Sequence, residues 1–113
     1  MAKKPKYSNK KLGTPFGVFD SQHEYDRFCE LQLLQKGNRI SGLDRQVQFE
    51  LIPAQYIDGK CVERAVKYIA DFVYKDNMTG EKIVEDAKGY RTPDYIIKRK
   101  LMLHMHHIRI RET

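Results

Sequence analysis

The spacing of apolar residues along the chain changes several times, and each spacing predicts a different element. Between residues 22 and 36, the apolar side chains from Tyr25 to Leu33 fall roughly on one face of a helix. Asp20 or Ser21 can cap this helix, because their side-chain oxygens accept from the free N–H groups of a first turn. The pair Gly37–Asn38 favours its end.

Strand patterns fill the middle of the chain. Polar and apolar residues alternate over Ile40–Ile52, and Pro53 stops the alternation. A second strand is predicted from about Val62 to Tyr74, followed by the turn-rich residues 76–80. A third strand is predicted over Lys82–Lys88.

A second helix follows the strands. Thr92 is a good cap and Pro93 suits the first helical position, so we expect a helix that ends near His104. The tail His107–Arg111 alternates again, which fits a short final strand. The predicted order is therefore α-β-β-β-α-β, an α/β fold.

The chain opens with a lysine-rich segment. Residues 1–19 contain five lysines and no acid, and glycine and proline interrupt any regular pattern. We interpret this segment as a flexible basic arm and residues 20–113 as one domain. The arm is either a solubilising tail or a phosphate contact through Lys10 and Lys11.

Composition narrows the class of partner. Lys and Arg outnumber Asp and Glu by 21 to 15 in 113 residues, and this excess favours polyanions such as nucleic acid. No apolar run reaches the ~18 residues that span a membrane, and the N-terminus does not resemble a signal peptide. We therefore expect a cytoplasmic protein that does not contact a membrane, with Cys29 and Cys61 reduced.

The strongest candidate chemistry involves two acids and a lysine. Asp71 interrupts an otherwise apolar strand, and the next strand carries Asp86 and Lys88 two positions apart, on one face. If Asp76 faces Glu81 across the turn, Asp71 lies opposite Asp86 with Cβ atoms about 5 Å apart. A register slip of one residue would place Glu85 there instead.

Two carboxylates this close repel each other unless a positive charge lies between them. Mg²⁺, or Mn²⁺ in its place, suits one or two carboxylates together with phosphate oxygens. Such an ion polarises a phosphodiester and activates water, and Lys88 can stabilise the developing charge. The simpler interpretation is that Asp71 and Asp86 are charges on a solvated sheet face.

The ordered motifs resemble a family of small phage and prophage proteins of unknown function, and beyond it the PD-(D/E)xK restriction-endonuclease-like superfamily, which includes Holliday-junction resolvases. The resemblance covers about residues 7–103. The matching segments are FDS at 19–21, Glu24, QVQFEL at 46–51, ADFVY at 70–74 and VEDAKG at 84–89. In one departure, Ala70 stands where the motif's name has proline.

The resemblance implies a restriction-endonuclease-like core, a mixed sheet flanked by helices. It implies that Asp71, Asp86 and Glu24 bind the metal and that Lys88 assists the nucleophile. The implied function is a metal-dependent DNA endonuclease in a phage or prophage, structure-specific and acting in recombination or replication. Cleavage of junctions needs two active sites, which a homodimer would supply.

Several weaker candidates and alternatives stay open. Gln46, Lys98 and Lys100 are candidate DNA contacts, although each also fits an ordinary surface position. His104, His106 and His107 lack a Cys or acid partner that would complete a metal site. The alternative functions are a non-catalytic nucleic-acid-binding protein with a nuclease fold, or a small basic interaction protein.

Overall fold

The computed structural model describes residues 11–87 and 91–113, which form two helices and eight strands. The elements are β1 (Leu12–Thr14), β2 (Gly17–Phe19), α1 (Gln22–Lys36), β3 (Ile40–Ile52), β4 (Gln55–Ile57), β5 (Lys60–Glu63), β6 (Val66–Asp76), β7 (Lys82–Asp86), α2 (Pro93–His106) and β8 (Arg111–Glu112).

The central sheet has four strands in the order β3-β6-β7-β8. The first three are antiparallel, and β8 returns parallel to β7 after the α2 crossover. The mixed sheet and two helices confirm an α/β class in which β structure predominates. Apart from the small hairpins β1–β2 and β4–β5, the elements run α1, β3, β6, β7, α2, β8 along the chain.

Both helices begin at the predicted caps. The Ser21 hydroxyl accepts from the Glu24 N–H at 3.1 Å, and the Thr92 hydroxyl accepts from the Tyr95 N–H at 3.2 Å. Helix α1 ends at Gly37 as predicted. Helix α2 extends beyond the predicted end near His104 and stops at His106. It ends there because His107 takes the left-handed conformation that terminates a helix.

Each face of the sheet packs on one helix. The α1 side contains Phe19, Phe28, Leu31, Ile40, Phe72, Tyr74, Ile83 and Ala87. The α2 side contains Leu51, Tyr68, Ala70, Val73, Val84, Tyr95, Met102 and Ile110. Because consecutive residues of β7 fall on opposite sides, the acids that follow Ile83 and Val84 are also directed to opposite sides.

Two hairpins correct the sequence prediction. Residues 12–19 are not part of a flexible arm, because β1 pairs with β2 and Phe19, the last residue of β2, is fully buried. Residues 1–10, including Lys10, lie outside the described residues. The predicted second strand from Val62 is also interrupted. Its start belongs to the hairpin β4–β5, whose tight turn uses Asp58 and Gly59 at φ 50° and 78°.

Among the described residues, no helix is both long enough and apolar enough to cross a membrane.

Candidate active site

The β6–β7 hairpin has the register that the turn predicts. The Asp76 N–H donates to the Glu81 carbonyl at 2.8 Å, and Phe72 lies opposite Glu85. Asp71 and Asp86 are the next positions beyond this last pair. The slipped register, in which Glu85 would face Asp71, is therefore not the one formed.

Three acids from three elements meet where this ladder ends. Glu24 comes from the first turn of α1, Asp71 from β6 and Asp86 from the end of β7. Their exposed fractions are 2%, 9% and 0%. We call these three residues the acid cluster.

Asp71 lies at the centre of the acid cluster. Its Oδ2 accepts from the Ala87 N–H at 2.8 Å, and its carboxyl group interacts electrostatically with those of Glu24 and Asp86. Burial, and next the contact with Glu24, raise the pKa of Asp71 from its ordinary 3.8 to about 6. Burial and an acidic neighbour both disfavour the charged form of Asp71, so the cluster is short of positive charge.

Glu24 is fixed by the start of α1 and by a neighbouring cation. Its Oε2 accepts from the Asp20 N–H at 3.3 Å and lies 3.8 Å from the Arg45 guanidinium. Arg45 in turn covers the Phe19 ring at 3.6 Å from its centroid and donates to the Val18 carbonyl. The hairpin β1–β2 therefore holds the arginine that faces Glu24.

Asp86 is held from the α2 side. The Tyr68 hydroxyl donates to Asp86 Oδ2 at 2.6 Å. Burial, followed by the charge of Asp86, raises the pKa of Tyr68 far above its usual value, so this phenol remains a donor. The Thr113 N–H donates to the Asp86 carbonyl at 3.0 Å, which fixes the backbone through the last strand.

Glu85, the neighbour of Asp86, has a different environment. Arg27 donates to both of its carboxylate oxygens, at 2.7 and 2.8 Å, and Tyr74 and Thr113 donate as well. Burial alone would raise the pKa of Glu85, but the hydrogen bonds from Arg27 and Tyr74 outweigh it and lower the pKa. Glu85 is therefore a neutralised structural acid.

The donor chemistry of the acid cluster fits a hard divalent cation. Mg²⁺ and Mn²⁺ prefer carboxylate oxygens, and the acid cluster has three carboxyl groups. In the described part of the chain, however, no three His, Cys, Asp or Glu side chains are already arranged as a complete ligand set. To bind an ion, Glu24 and Asp86 would need to turn from their contacts with Asp71 and Tyr68.

A comparison with protein families covers almost the whole sequence. A family model described as "Protein of unknown function (DUF1064)" matches residues 4–113. The chain belongs to the DUF1064 family. No curated protein and no solved structure matches it significantly.

The structure separates the other predicted site residues of this DUF1064 chain. Gln46 is exposed on β3, beside the acid cluster in the β3–β6 ladder. Lys98 borders a groove with Lys67 and Tyr68, whereas Lys100 borders another groove on the far side of α2. Lys11 is exposed just before β1. Lys88 and Lys10 lie outside the described residues.

Two residues next to the acid cluster were missed by sequence reasoning. Tyr68 is hidden in the apolar stretch that precedes Asp71, and only its burial beside Asp86 shows its role as a donor. Arg45 carries no motif, and its contact with Glu24 depends on how α1 lies against β3. Within residues 11–87 and 91–113, the histidines near the end of α2 belong to no group of metal-binding side chains; His106 instead contacts the Glu50 carbonyl at 2.6 Å.

Proposed function

We propose that this protein is a metal-dependent endonuclease that hydrolyses phosphodiester bonds in DNA. The observation that carries the proposal is that buried Asp71 interacts with two further buried acids, Glu24 and Asp86. Burying three acids together disfavours their charged forms, and stability alone gives no reason to place them so. A cation site does give a reason.

The roles follow from position. Asp71 is the central ligand, Glu24 and Asp86 are the flanking ligands, and Tyr68 orients Asp86 through its hydroxyl. Bound Mg²⁺ or Mn²⁺ would supply Lewis acidity toward the phosphate and a more acidic water. Lys88 follows Asp86 by two residues and is proposed to stabilise negative charge as it develops.

The chain's charge supports an anionic substrate. Its formal net charge is +6, although three buried acids lie together at the proposed site. The groove that Lys100 borders also contains Arg91, Arg99 and Arg109, and Lys98 and Lys67 border the groove beside Tyr68. Phosphate contacts of this kind position DNA without reading its sequence.

The resemblance to PD-(D/E)xK nucleases adds support from the sequence side. It implies a core in the order α-β-β-β-α-β, with the first acid on one strand of a hairpin and the second acid on the next strand. The order of the larger elements and the positions of Asp71 and Asp86 are compatible with that pattern. Structure-specific cleavage of branched DNA, in phage recombination or replication, is the finer form of the proposal.

The test is a cleavage assay on branched DNA, linear duplex DNA and RNA, each with Mg²⁺, Mn²⁺ or chelator. We expect cleavage of DNA that requires metal. Asp71→Asn and Asp86→Asn should each lower the rate by at least about 10²-fold while remaining folded. The matched control is Asp44→Asn, an exposed acid on β3, which should cleave at the wild-type rate. Cleavage that survives in both site variants would refute the proposal.

A non-catalytic nucleic-acid-binding protein is the second candidate. It is favoured by the observation that, among the described residues, the three acids are not already arranged as a complete ligand set. This alternative predicts salt-dependent DNA binding, with about 0.9 counterion released per phosphate contact, and no cleavage with either metal. A Mn²⁺ titration by calorimetry separates the two, because only the nuclease needs the ion.

A further inference from the structure

Gln46 has an unusual backbone for its place in the fold. It lies in the middle of the 13-residue strand β3, yet its φ is +54°. The other non-glycine residues with positive φ in the described part of the chain, Asn38, Asp58 and His107, lie at a helix end or in a tight turn. A left-handed glutamine inside a strand is disfavoured, and such strain persists only where the surrounding structure imposes it.

The pairing between β3 and β6 is interrupted at the level of Gln46. Regular pairs flank the position on both sides, with Arg45 opposite Phe72 and Val47 opposite Ala70. Gln46 and Asp71, which lie between these pairs, do not form a regular pair themselves. The break therefore places the strained residue across from the central acid of the cluster.

Both strands exchange their faces at this level. On β3, Arg45 covers Phe19 on the α1 side while Val47 packs on the α2 side, although strict alternation would put them on one face. On β6, Ala70 lies on the α2 side and Phe72 on the α1 side. Because both strands change faces together, the sheet stays packed on each helix.

The exchange accounts for the reach of Asp71. Glu24 belongs to the helix on the α1 side, whereas Asp86 is bonded to Tyr68 on the α2 side. A residue in a regular strand presents its side chain to one face only. Asp71 interacts with acids held from both sides because it lies where the faces exchange.

We infer that the left-handed backbone of Gln46, and not its exposed side chain, keeps Asp71 in reach of Glu24 and Asp86. Gln46 is then a positioning residue of the acid cluster rather than a DNA contact. The inference rests on the proposed function only for what the cluster binds; the geometric part stands on the structure alone.

Replacing Gln46 by glycine or by valine distinguishes the role of its backbone conformation from the role of its side chain. Gly adopts positive φ without steric cost, whereas a β-branched residue strongly resists it. Gln48 is the matched control, because it is an exposed glutamine two positions along the same strand, in regular pairing with Ile69. At position 48 valine should be tolerated better than glycine, the reverse of position 46, because a regular strand favours valine over glycine.

The first readout is the amide hydrogen exchange of Ala87, measured by NMR without metal. This N–H donates to the Asp71 carboxylate, so its protection reports the position of Asp71. The second is the affinity for Mn²⁺ by calorimetry. We expect Gln46→Gly to retain both. Gln46→Val should speed Ala87 exchange and weaken Mn²⁺ binding, each by about tenfold or more, a shift of roughly 1.4 kcal/mol or more. Gln48→Gly and Gln48→Val should change neither.

If Gln46→Val fails to fold, Gln46→Ala takes its place, because alanine is also disfavoured at positive φ but lacks the branched Cβ. Loss of either readout in folded Gln46→Gly would overturn the inference, since the side chain would then be required. So would unchanged readouts in Gln46→Val and Gln46→Ala. A wild type that binds no Mn²⁺ would refute the proposed function, while Ala87 exchange would still decide the role of Gln46.

Discussion

Glu85 and Asp86 are adjacent, fully buried acids on β7 with opposite environments. On the α1 side, Glu85 is matched by Arg27, which binds both of its oxygens, and by two hydroxyl donors. On the α2 side, Asp86 is held by Tyr68 and contacts a second acid, Asp71. A buried carboxylate with a matched cation stabilises one arrangement of α1 and β7. Acids buried against one another need a different explanation, and we assign it to function.

The largest expected effect comes from removing the cation that pairs with Glu85. Arg27→Ala leaves Glu85 buried without its cation, which should cost about 3–5 kcal/mol of unfolding free energy. Urea unfolding at pH 7.5 measures it. Removing the acid as well, in Arg27→Ala with Glu85→Gln, should restore at least half of the loss. Glu30→Gln, which removes only the exposed partner of Arg27, should change stability by less than ~0.5 kcal/mol. A loss below about 1 kcal/mol in Arg27→Ala would contradict this assignment.

The next effect concerns catalysis beside the acid cluster. Lys88→Ala should lower the cleavage rate by about 10² to 10³, because it removes a charge that acts mainly in the transition state. Folding and Mn²⁺ binding should be retained, since Lys88 is not proposed as a ligand. Lys75→Ala, an exposed lysine on β6, is the control. Should Lys88→Ala cleave as fast as the wild type, the catalytic role of this lysine is wrong.

A smaller effect follows from the pKa of Asp71. In the folded protein that pKa is raised to about 6 from 3.8, so between these values the folded state retains a proton that the unfolded chain releases. The stability contributed by this proton is complete below about pH 4 and is lost as the pH rises through about 6. Asp71→Asn removes the charged form, and at pH 7.5 it should therefore be more stable than the wild type by about 3 kcal/mol.

Urea unfolding of both proteins at pH 7.5, 5 and 4 tests this sign. The difference between them should shrink toward pH 4, and Mn²⁺ at pH 7.5 should stabilise the wild type but not Asp71→Asn. Asp44→Asn should show neither trend. If Asp71→Asn were the less stable protein at pH 7.5, the acid cluster would not be short of positive charge.

The smallest effect compares two buried tyrosines. Tyr68→Phe removes the donor to Asp86, and Tyr74→Phe removes a donor to Glu85. Each should cost about 1.5 kcal/mol of stability, as expected for a hydrogen bond to a charged group. Only Tyr68→Phe should also weaken Mn²⁺ binding and slow cleavage. Equal effects of the two variants on metal binding would remove the functional distinction between the two sides of β7.

The amino-acid sequence by itself determined most of the larger elements and the register of β6 with β7. Ser21, Thr92 and Pro93 mark helix starts through their own hydrogen-bonding and backbone preferences, and Gly37 marks an end. The turn after Asp76 fixes which residues of β6 and β7 face each other, so the predicted neighbourhood of Asp71 and Asp86 depends on local chemistry. The Asp58–Gly59 pair is a local hairpin-turn signal of the same kind.

Tertiary structure decided what each acid contacts. The choice between Glu85 as the neutralised acid and Asp86 as the site acid depends on Arg27, which lies 58 residues away along the chain. The burial of Phe19 and the contact of Arg45 with Glu24 likewise depend on segments that are distant along the chain, and the left-handed backbone at Gln46 lies where β3 pairs with β6. Local patterns report propensities of neighbouring residues, whereas these contacts are selected by the packing of distant segments, which no short stretch of sequence encodes.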